Sequence, residues 1–297
     1  MTQKVLVTGA GGRLGRALLS VLAEEKRGLT RSELDIADAA AVARVFDSLK
    51  PTVVINAAAW TDVAGAETHR DAAYRANAEG VRVLAAEAAR RGIALIHYST
   101  DYVFSGEGDL PWTETDRPAP TGVYGASKLE GERQFFASGV RGAVIRAGWL
   151  HSGERDFIAA VLNRALSGGE LTVVDNQVGT PTSTDALARW TAAALPGILA
   201  SPTAVLHHYV ESGPYVSRYD FAATVLTKAQ ALFAARGESE KAARIRYAKE
   251  TMKRTFLAPG IRPLNCRLAT EDKAHFPLTE NWLKAVDKSV ENVESLF

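Results

Sequence analysis

Short apolar runs alternating with longer helical stretches dominate the first 150 residues of this 297-residue chain. The runs occupy residues 5–7, 53–55, 93–98 and 143–146, and the shorter stretch 27–31 reads as the tip of a further strand. Helical spacing fills the intervals. Leu14, Leu18, Leu19 and Leu22 recur on one face, 39–49 ends before Pro51, 66–91 stops at Gly92, and 123–137 follows a proline-containing loop. Strands alternating with helices of this length specify a parallel sheet covered on both faces, an α/β architecture. Such sheets bind ligands at the carboxyl ends of their strands.

The first run ends in Thr8, Gly9, Ala10, Gly11, Gly12, Arg13, Leu14 and Gly15. A strand, a tight glycine turn and a helix form the context in which such a loop holds a phosphate. Gly9 permits the turn and Gly12 lets the backbone approach a pyrophosphate. Gly15 lets the helix pack closely on the sheet, with the anion at its N-terminus. The run at 93–98 leads into Ser99, Thr100 and Asp101, and Tyr124 and Lys128 open the next helix. Four residues apart, these two share a helix face. A free phenol has a pKa of about 10, and a neighbouring ammonium favours its ionised form. With Thr100 holding a carbonyl oxygen against the phenol, the three would protonate an oxygen that becomes alkoxide as hydride reaches its carbon. A solvated tyrosine beside a solvated lysine is the competing reading. The glycine loop, Ala57 to Thr61 and Thr100 all fall at strand ends, and that coincidence favours a site.

Apolar residues make up 46% and charged residues 23%, with a formal net charge of +1. Nothing there suggests a nucleic acid or a membrane surface as partner. One cysteine, Cys266, excludes an internal disulfide and fits a reducing compartment. No apolar run approaches the roughly 18 residues that span a bilayer, and the N-terminus shows no signal-type stretch, so a cytoplasmic protein is expected. Beyond residue 150 the pattern is less regular. Helices are expected at 157–165, 184–194 and 219–236, and strands at 171–174 and 204–210. The stretch 237–253 is charged and poorly periodic, and Pro259, Pro263 and Pro277 punctuate a loop-rich end before a last short helix. The expected division is a dinucleotide-binding unit over 1–150, completed by the strands near 171–174 and 204–210. A smaller, discontinuous α+β substrate lobe is expected over 151–297. His207 and His208 on a strand would face opposite sides, a poor chelate.

Thr8-Gly-x-x-Gly-x-x-Gly15 together with Tyr124-x-x-x-Lys128 resembles the extended short-chain dehydrogenase/reductase superfamily. Asn56-Ala-Ala-Ala-Trp-Thr61, Tyr98-Ser-Thr-Asp-Tyr-Val-Phe-Ser-Gly106, Asp175-Asn-Gln-Val-Gly-Thr-Pro-Thr182 and Arg262-Pro-Leu-Asn-Cys-Arg-Leu268 narrow the resemblance to the dTDP-4-dehydrorhamnose reductase family. It implies a Rossmann-type doubly wound fold and reduction of a 4-keto sugar nucleotide. Thr100, Tyr124 and Lys128 match the catalytic residues, with Tyr124 the proton donor and Lys128 gripping the nicotinamide ribose. Cofactor contacts are implied for Gly9, Gly11, Gly12, Arg13, Leu14, Gly15, Asp35 and Ile36, and for Ala57, Ala58 and Ala59 beneath the cofactor. Substrate contacts are implied for Thr100, Asp101, Tyr102, Trp149, Arg262 and Asn265, with Arg262 and Asn265 facing a diphosphate. For Trp149 a plain core indole is the competing reading. Asn77 either supports Lys128 through water or is an ordinary polar helix residue.

An arginine ending the second strand selects a 2′-phosphate, whereas an acid selects the free hydroxyl. Arg31, with Arg13 beside it, points to NADPH with NADH also usable; Glu33 is the rival reader. The partner is then a small nucleotide sugar, and the chain a monomer or homodimer. Cys266 stands where serine is usual in the family, and 62–65 lacks the usual basic-acidic pattern. Some members dimerise through a metal held by a glutamate after the glycine loop; Arg16 and Ala17 occupy that stretch, so no metal is expected. A 4,6-dehydratase would need a carboxylate after Asp101, where Tyr102 stands. An epimerase, or a non-catalytic subunit like the methionine adenosyltransferase β subunit, remains as an alternative.

Overall fold

Residues 3–271 and 279–294 are described by the structure, a computed structural model. Pro277 lies outside the described residues. The first half runs β1 (Lys4–Thr8), α1 (Arg13–Val21), β2 (Glu25–Leu29), α2 (Ala39–Leu49), β3 (Val53–Asn56), α3 (Val63–Thr68) and α4 (Arg70–Tyr74). After a π-helical turn, Arg75–Glu79, come α5 (Gly80–Arg91), β4 (Ala94–Thr100), a 3-10 turn (Asp101–Val103), α6 (Val123–Ala137) and β5 (Gly142–Ala147). The rest comprises β6 (Leu150–His151), α7 (Phe157–Leu166), β7 (Thr172–Val174), β8 (Val178–Gly179), β9 (Thr182–Ser183) and α8 (Thr184–Ala200). Then follow β10 (Val205–His208), β11 (Val216–Ser217), α9 (Arg218–Ala235), α10 (Ser239–Thr251), β12 (Lys253–Thr255), β13 (Asn265–Cys266) and α11 (Trp282–Glu294).

Six parallel strands form the main sheet in the order β10-β5-β4-β3-β1-β2. Residue parity decides which face each side chain enters. Val5, Val7, Val53, Ile55, Ala94 and Ile96 bury against α1 and α8. Leu6, Val54, Leu95 and Val144 bury against α2, α5 and Phe135 of α6. A third core gathers α7, α9, α10 and α11 around Phe221 and Trp282, and this is the second lobe. Strand order reverses at β1, which pairs with both β2 and β3, so a crevice opens above their carboxyl ends.

Four local expectations change. The strand near 171–174 does not complete the main sheet: it pairs with β12 in a separate two-stranded sheet, because Leu171 and Val173 bury in the second core. β10 does join the main sheet, beside β5. The stretch 66–91 is not one helix. The Asp62 side chain caps α3 on the Gly65 N–H, and His69 leaves helical geometry between α3 and α4. The charged stretch after Gly237 is helix α10, which buries little beyond Ile245 and Ala248, so its sequence shows almost no periodicity. Helix α8 runs on through Pro196, which lies on the exposed face while Leu195 and Ile198 keep the helix buried.

Candidate active site

Gly9 adopts a left-handed φ of 71°, and a Cβ there would lie 2.5 Å from the Ala58 backbone nitrogen. The glycine loop thus packs on Ala57 and Ala58 at the reversal of strand order; Ala59 beyond them is exposed. Gly12 caps α1 without a side-chain bond, and the first turn of α1 holds no acid, which leaves its positive end available to an anion. Gly11 borders the Thr30 methyl, while Leu14 and Gly15 are buried beneath. Arg13 departs from expectation. Its guanidinium lies 3.4 Å from the Leu150 carbonyl and 3.2 Å from the buried carboxylate of Asp156. That pull turns it toward the second lobe rather than the end of β2.

At the end of β2 the Glu33 carboxylate accepts from both the N–H and the hydroxyl of Thr30, each at 2.8 Å. These bonds hold its carboxyl below the usual range. Arg31 stands exposed between them. Asp35 accepts from the Ala37 N–H and from Arg75, which lower its carboxyl in that order, and Ile36 is buried against Gly80.

Thr100 ends β4, and Tyr124 sits in the first turn of α6. What lets them meet is Gly125: a Cβ there would lie 2.0 Å from the Tyr102 carbonyl, so α6 approaches the 3-10 turn only with glycine. The Thr100 hydroxyl donates to Asp101 Oδ1 at 2.9 Å and accepts from the Tyr102 N–H, close enough to the Tyr124 phenol to act on its acidity. Tyr124 is half-buried, its ring edge-on to Tyr102 with centroids 5.7 Å apart. Burial pushes its phenol above the ordinary value, the neighbouring Thr100 hydroxyl opposes this, and Asp101 and Tyr102 add to it. The expected ionising pull of Lys128 is not what governs the phenol here. Lys128 Nζ turns inward instead, 2.6 Å from the Tyr98 carbonyl and 3.3 Å from His97 Nε2. Burial lowers its ammonium to about 8 against the opposing charge of Glu132. Asn77 lies in the π-helical turn, bonded to both backbone groups of Trp60 and to the Ser127 hydroxyl. It ties the loop after β3 to α6.

Of the residues expected to contact substrate, Asp101 is buried, and burial raises its carboxyl. The Tyr102 hydroxyl accepts from Gln177 at 3.2 Å. Trp149 is buried with a left-handed φ of 50°, an uncommon backbone state for a large side chain. The Arg218 guanidinium lies over its ring and donates to Gln177 Oε1 at 3.1 Å. Arg262 is exposed and near enough to Arg218 for their charges to interact. Asn265 corrects the expectation. It is buried, its amide donates to the carbonyls of Glu107 and Leu110, and its oxygen accepts from Arg267, so it braces the 106–112 loop. Arg218 escaped sequence reasoning because nothing in its neighbourhood marks it; it is the first residue of α9.

Chain-wide similarity agrees with this geometry. The sequence model of the RmlD substrate binding domain matches residues 3–295. The chain belongs to this family. A dTDP-4-dehydrorhamnose reductase of Mycobacterium tuberculosis (strain ATCC 25618 / H37Rv) is 44% identical over 190 residues, 61% of this chain and 62% of that protein. This RmlD-family chain therefore matches somewhat under two thirds of that relative's length. The crystal structure of a dTDP-4-dehydrorhamnose reductase from Clostridium acetobutylicum superposes with a TM-score of 0.86 at 31% identity, covering 98% of this chain and 100% of that one. One from Bacillus anthracis, in complex with NADP, superposes with a TM-score of 0.83 at 25% identity, with coverage of 98% and 100%. Among the described residues of the RmlD-family chain, no helix is long and apolar enough to cross a membrane.

Proposed function

We propose that this chain reduces the 4-keto group of a dTDP-4-dehydro-6-deoxy sugar, converting dTDP-4-dehydro-L-rhamnose to dTDP-L-rhamnose, with NADPH as reductant and NADH also accepted. The observation that carries the reading is the placing of Tyr124, in the first turn of α6, against the end of β4, where the Thr100 hydroxyl rests on buried Asp101; Gly125 packed on the Tyr102 carbonyl brings the two together. Family membership and the NADP complex of the B. anthracis relative support it. The residues present suit a dinucleotide. A Cβ at Gly9 would fill the loop's contact with Ala58, and the uncapped end of α1 suits a pyrophosphate.

When bound, the reduced nicotinamide supplies hydride to the keto carbon. The chain's own groups handle the oxygen. Thr100 donates to it once its hydroxyl turns from Asp101, and Tyr124 gives up its phenolic proton as the C=O bond becomes an alcohol. The raised phenol keeps that proton on Tyr124 until an oxygen of higher basicity arrives. Arg262 and Arg218 supply the positive charge that a diphosphate needs. Tyr102, where elimination chemistry would require a carboxylate, argues against a dehydratase.

The test is nicotinamide absorbance with dTDP- and GDP-linked 4-keto-6-deoxy sugars. Oxidation with dTDP-4-dehydro-L-rhamnose is expected. No turnover with any of them, together with co-purification of a synthetase, would replace this reading with that of a regulatory subunit.

A further inference from the structure

Four side chains form an unbroken buried chain beneath the cleft: Thr8 at the end of β1, Asn56 at the end of β3, His97 on β4 and Lys128 on α6. Each is no more than 2% exposed, so water cannot substitute for a missing partner. Thr8 Oγ1 donates to Asn56 Oδ1 at 2.7 Å, Asn56 Nδ2 lies 3.1 Å from His97 Nδ1, and His97 Nε2 lies 3.3 Å from Lys128 Nζ.

The proton positions along this chain follow from one backbone group. The Ala58 N–H, which can only donate, reaches Asn56 Oδ1 at 3.1 Å and so fixes which way the amide faces. The Asn56 NH2 therefore points at His97 Nδ1, which must accept. A neutral imidazole that accepts at Nδ1 carries its proton on Nε2. That N–H is aimed at Lys128 Nζ, where a neutral amine can accept it and an ammonium cannot. The amine still donates to the Tyr98 carbonyl. Every bond in the chain is thus satisfied when Lys128 is neutral, and one is lost when it is charged.

We propose that His97 is a positioning residue, locked by Asn56 as its Nε2–H tautomer, and that this lock couples the charge of Lys128 to the Ala57–Ala58 peptide on which the glycine loop rests. Of the other groups facing Lys128, Glu132 opposes a neutral amine. On its own helix Tyr124 lies one turn before, and Glu132 lies one turn after but is held bidentate by Arg146 from β5. From β4 come only His97 and the Tyr98 carbonyl. Burial holds the His97 imidazole neutral, and the Lys128 ammonium, where it is protonated, adds to that. The coupling bears on turnover only if the reductase reading stands, but the tautomer is a property of the resting protein.

Long-range 15N–1H spectra of histidine-labelled protein read the tautomer, and 13Cε signals of labelled lysine read the Lys128 titration. The His97 signal is assigned by its loss in His97→Gln or, should that variant not fold, by its shift in Lys128→Met. The expected result is an Nε2–H imidazole unchanged from pH 6 to pH 9, with Lys128 titrating well below an ordinary lysine. Asn56→Asp replaces the NH2 by an acceptor, so His97 should switch to Nδ1–H and the Lys128 midpoint should rise by about one unit or more. An Nδ1–H imidazole or an imidazolium in the wild type overturns the proposal, as does a folded Asn56→Asp whose tautomer stays put. If Asn56→Asp does not fold, the wild-type tautomer alone decides. Inactivity toward every keto sugar would sink the reductase reading and leave this measurement intact.

Discussion

The guanidinium carbon of Arg218 lies 3.5 Å from the ring centroid of Trp149. Its Nε donates to Gln177, which in turn donates to the Tyr102 hydroxyl and the Pro263 carbonyl. One side chain at the start of α9 thereby fixes an indole, a tyrosine and the loop carrying Arg262. Arg218→Leu should raise KM for the sugar nucleotide about tenfold and leave kcat within a few-fold. A tenfold change is about 1.4 kcal/mol, within the worth of one desolvated cation–π contact of about 1–2 kcal/mol. Arg218→Lys should not restore it, since an ammonium lacks the planar fork. Steady-state kinetics decide; a loss confined to kcat would place Arg218 elsewhere in the reaction.

Tyr124→Phe removes one hydroxyl from a half-buried ring and leaves the edge contact with Tyr102 in place. The variant should fold as the wild type does. Its kcat should fall by about 10²–10⁴, the usual worth of a general acid. Turnover within a few-fold of wild type would show that the proton comes from elsewhere.

Much of this site was legible in the sequence because chemistry and periodicity coincide there. The glycine loop, Thr100 and the Tyr124–Lys128 spacing are local patterns, and each sits on a strand end or first helical turn that the apolar runs define. What stayed hidden depends on tertiary partners. The inward turn of Lys128 needs His97 and the Tyr98 carbonyl, and Arg13 is drawn off by Asp156, 143 positions away. Asn265 looks like a ligand-facing amide in a motif, yet its partners Glu107 and Leu110 come from a distant loop. Helix α10 was unreadable for the opposite reason: it buries too few residues to imprint a period.

Under the proposed reading, cofactor choice is set at the end of β2. Glu33 is bonded twice to Thr30, whereas Arg31 stands exposed beside it. Under the NADPH reading, Arg31→Ala loses a charge-assisted contact worth about 1.5–3 kcal/mol. NADPH affinity should drop on the order of tenfold or more, and NADH affinity should barely change. Titrating both cofactors against both proteins checks this. Equal losses, or a wild type that prefers NADH, would make Glu33 the reader.

Glu132 and Arg146 form a buried bidentate pair, with bonds of 2.9 and 2.6 Å and both side chains almost fully enclosed. Arg146 also faces the Phe104 ring and His208. Glu132→Leu strands a guanidinium in the core, and the cost should be about 3–5 kcal/mol. Adding Arg146→Met should recover most of it, because neither charge then remains to be solvated. Urea unfolding of the two variants tests the idea: a single variant within about 1 kcal/mol of wild type would contradict it.

Glu211 links stability to pH. One of its oxygens accepts from the Ser183 N–H at 2.5 Å while the other is buried without a partner among the described residues. Burial pushes its carboxyl up to about 8, with the Ser183 bond opposing and the charge of Glu280 adding. A folded-state pKa above the unfolded value means that the folded protein binds the extra proton. Its contribution is then fully present below the unfolded value of about 4.3 and is lost as pH rises to about 8. Lys128, lowered to about 8, acts in the opposite sense at higher pH: the unfolded lysine holds its proton up to about 10.4, so that contribution grows as pH rises from about 8. The two windows barely overlap, and a difference between variants isolates Glu211. Glu211→Gln keeps an oxygen for the Ser183 N–H and cannot ionise. Relative to wild type it should gain stability steadily from pH 5 to pH 8, by a few kcal/mol at most, and gain nothing further above that. Thermal melts of both proteins across this range provide the check. A Tm difference that does not change with pH would mean that Glu211 ionises normally in the folded chain.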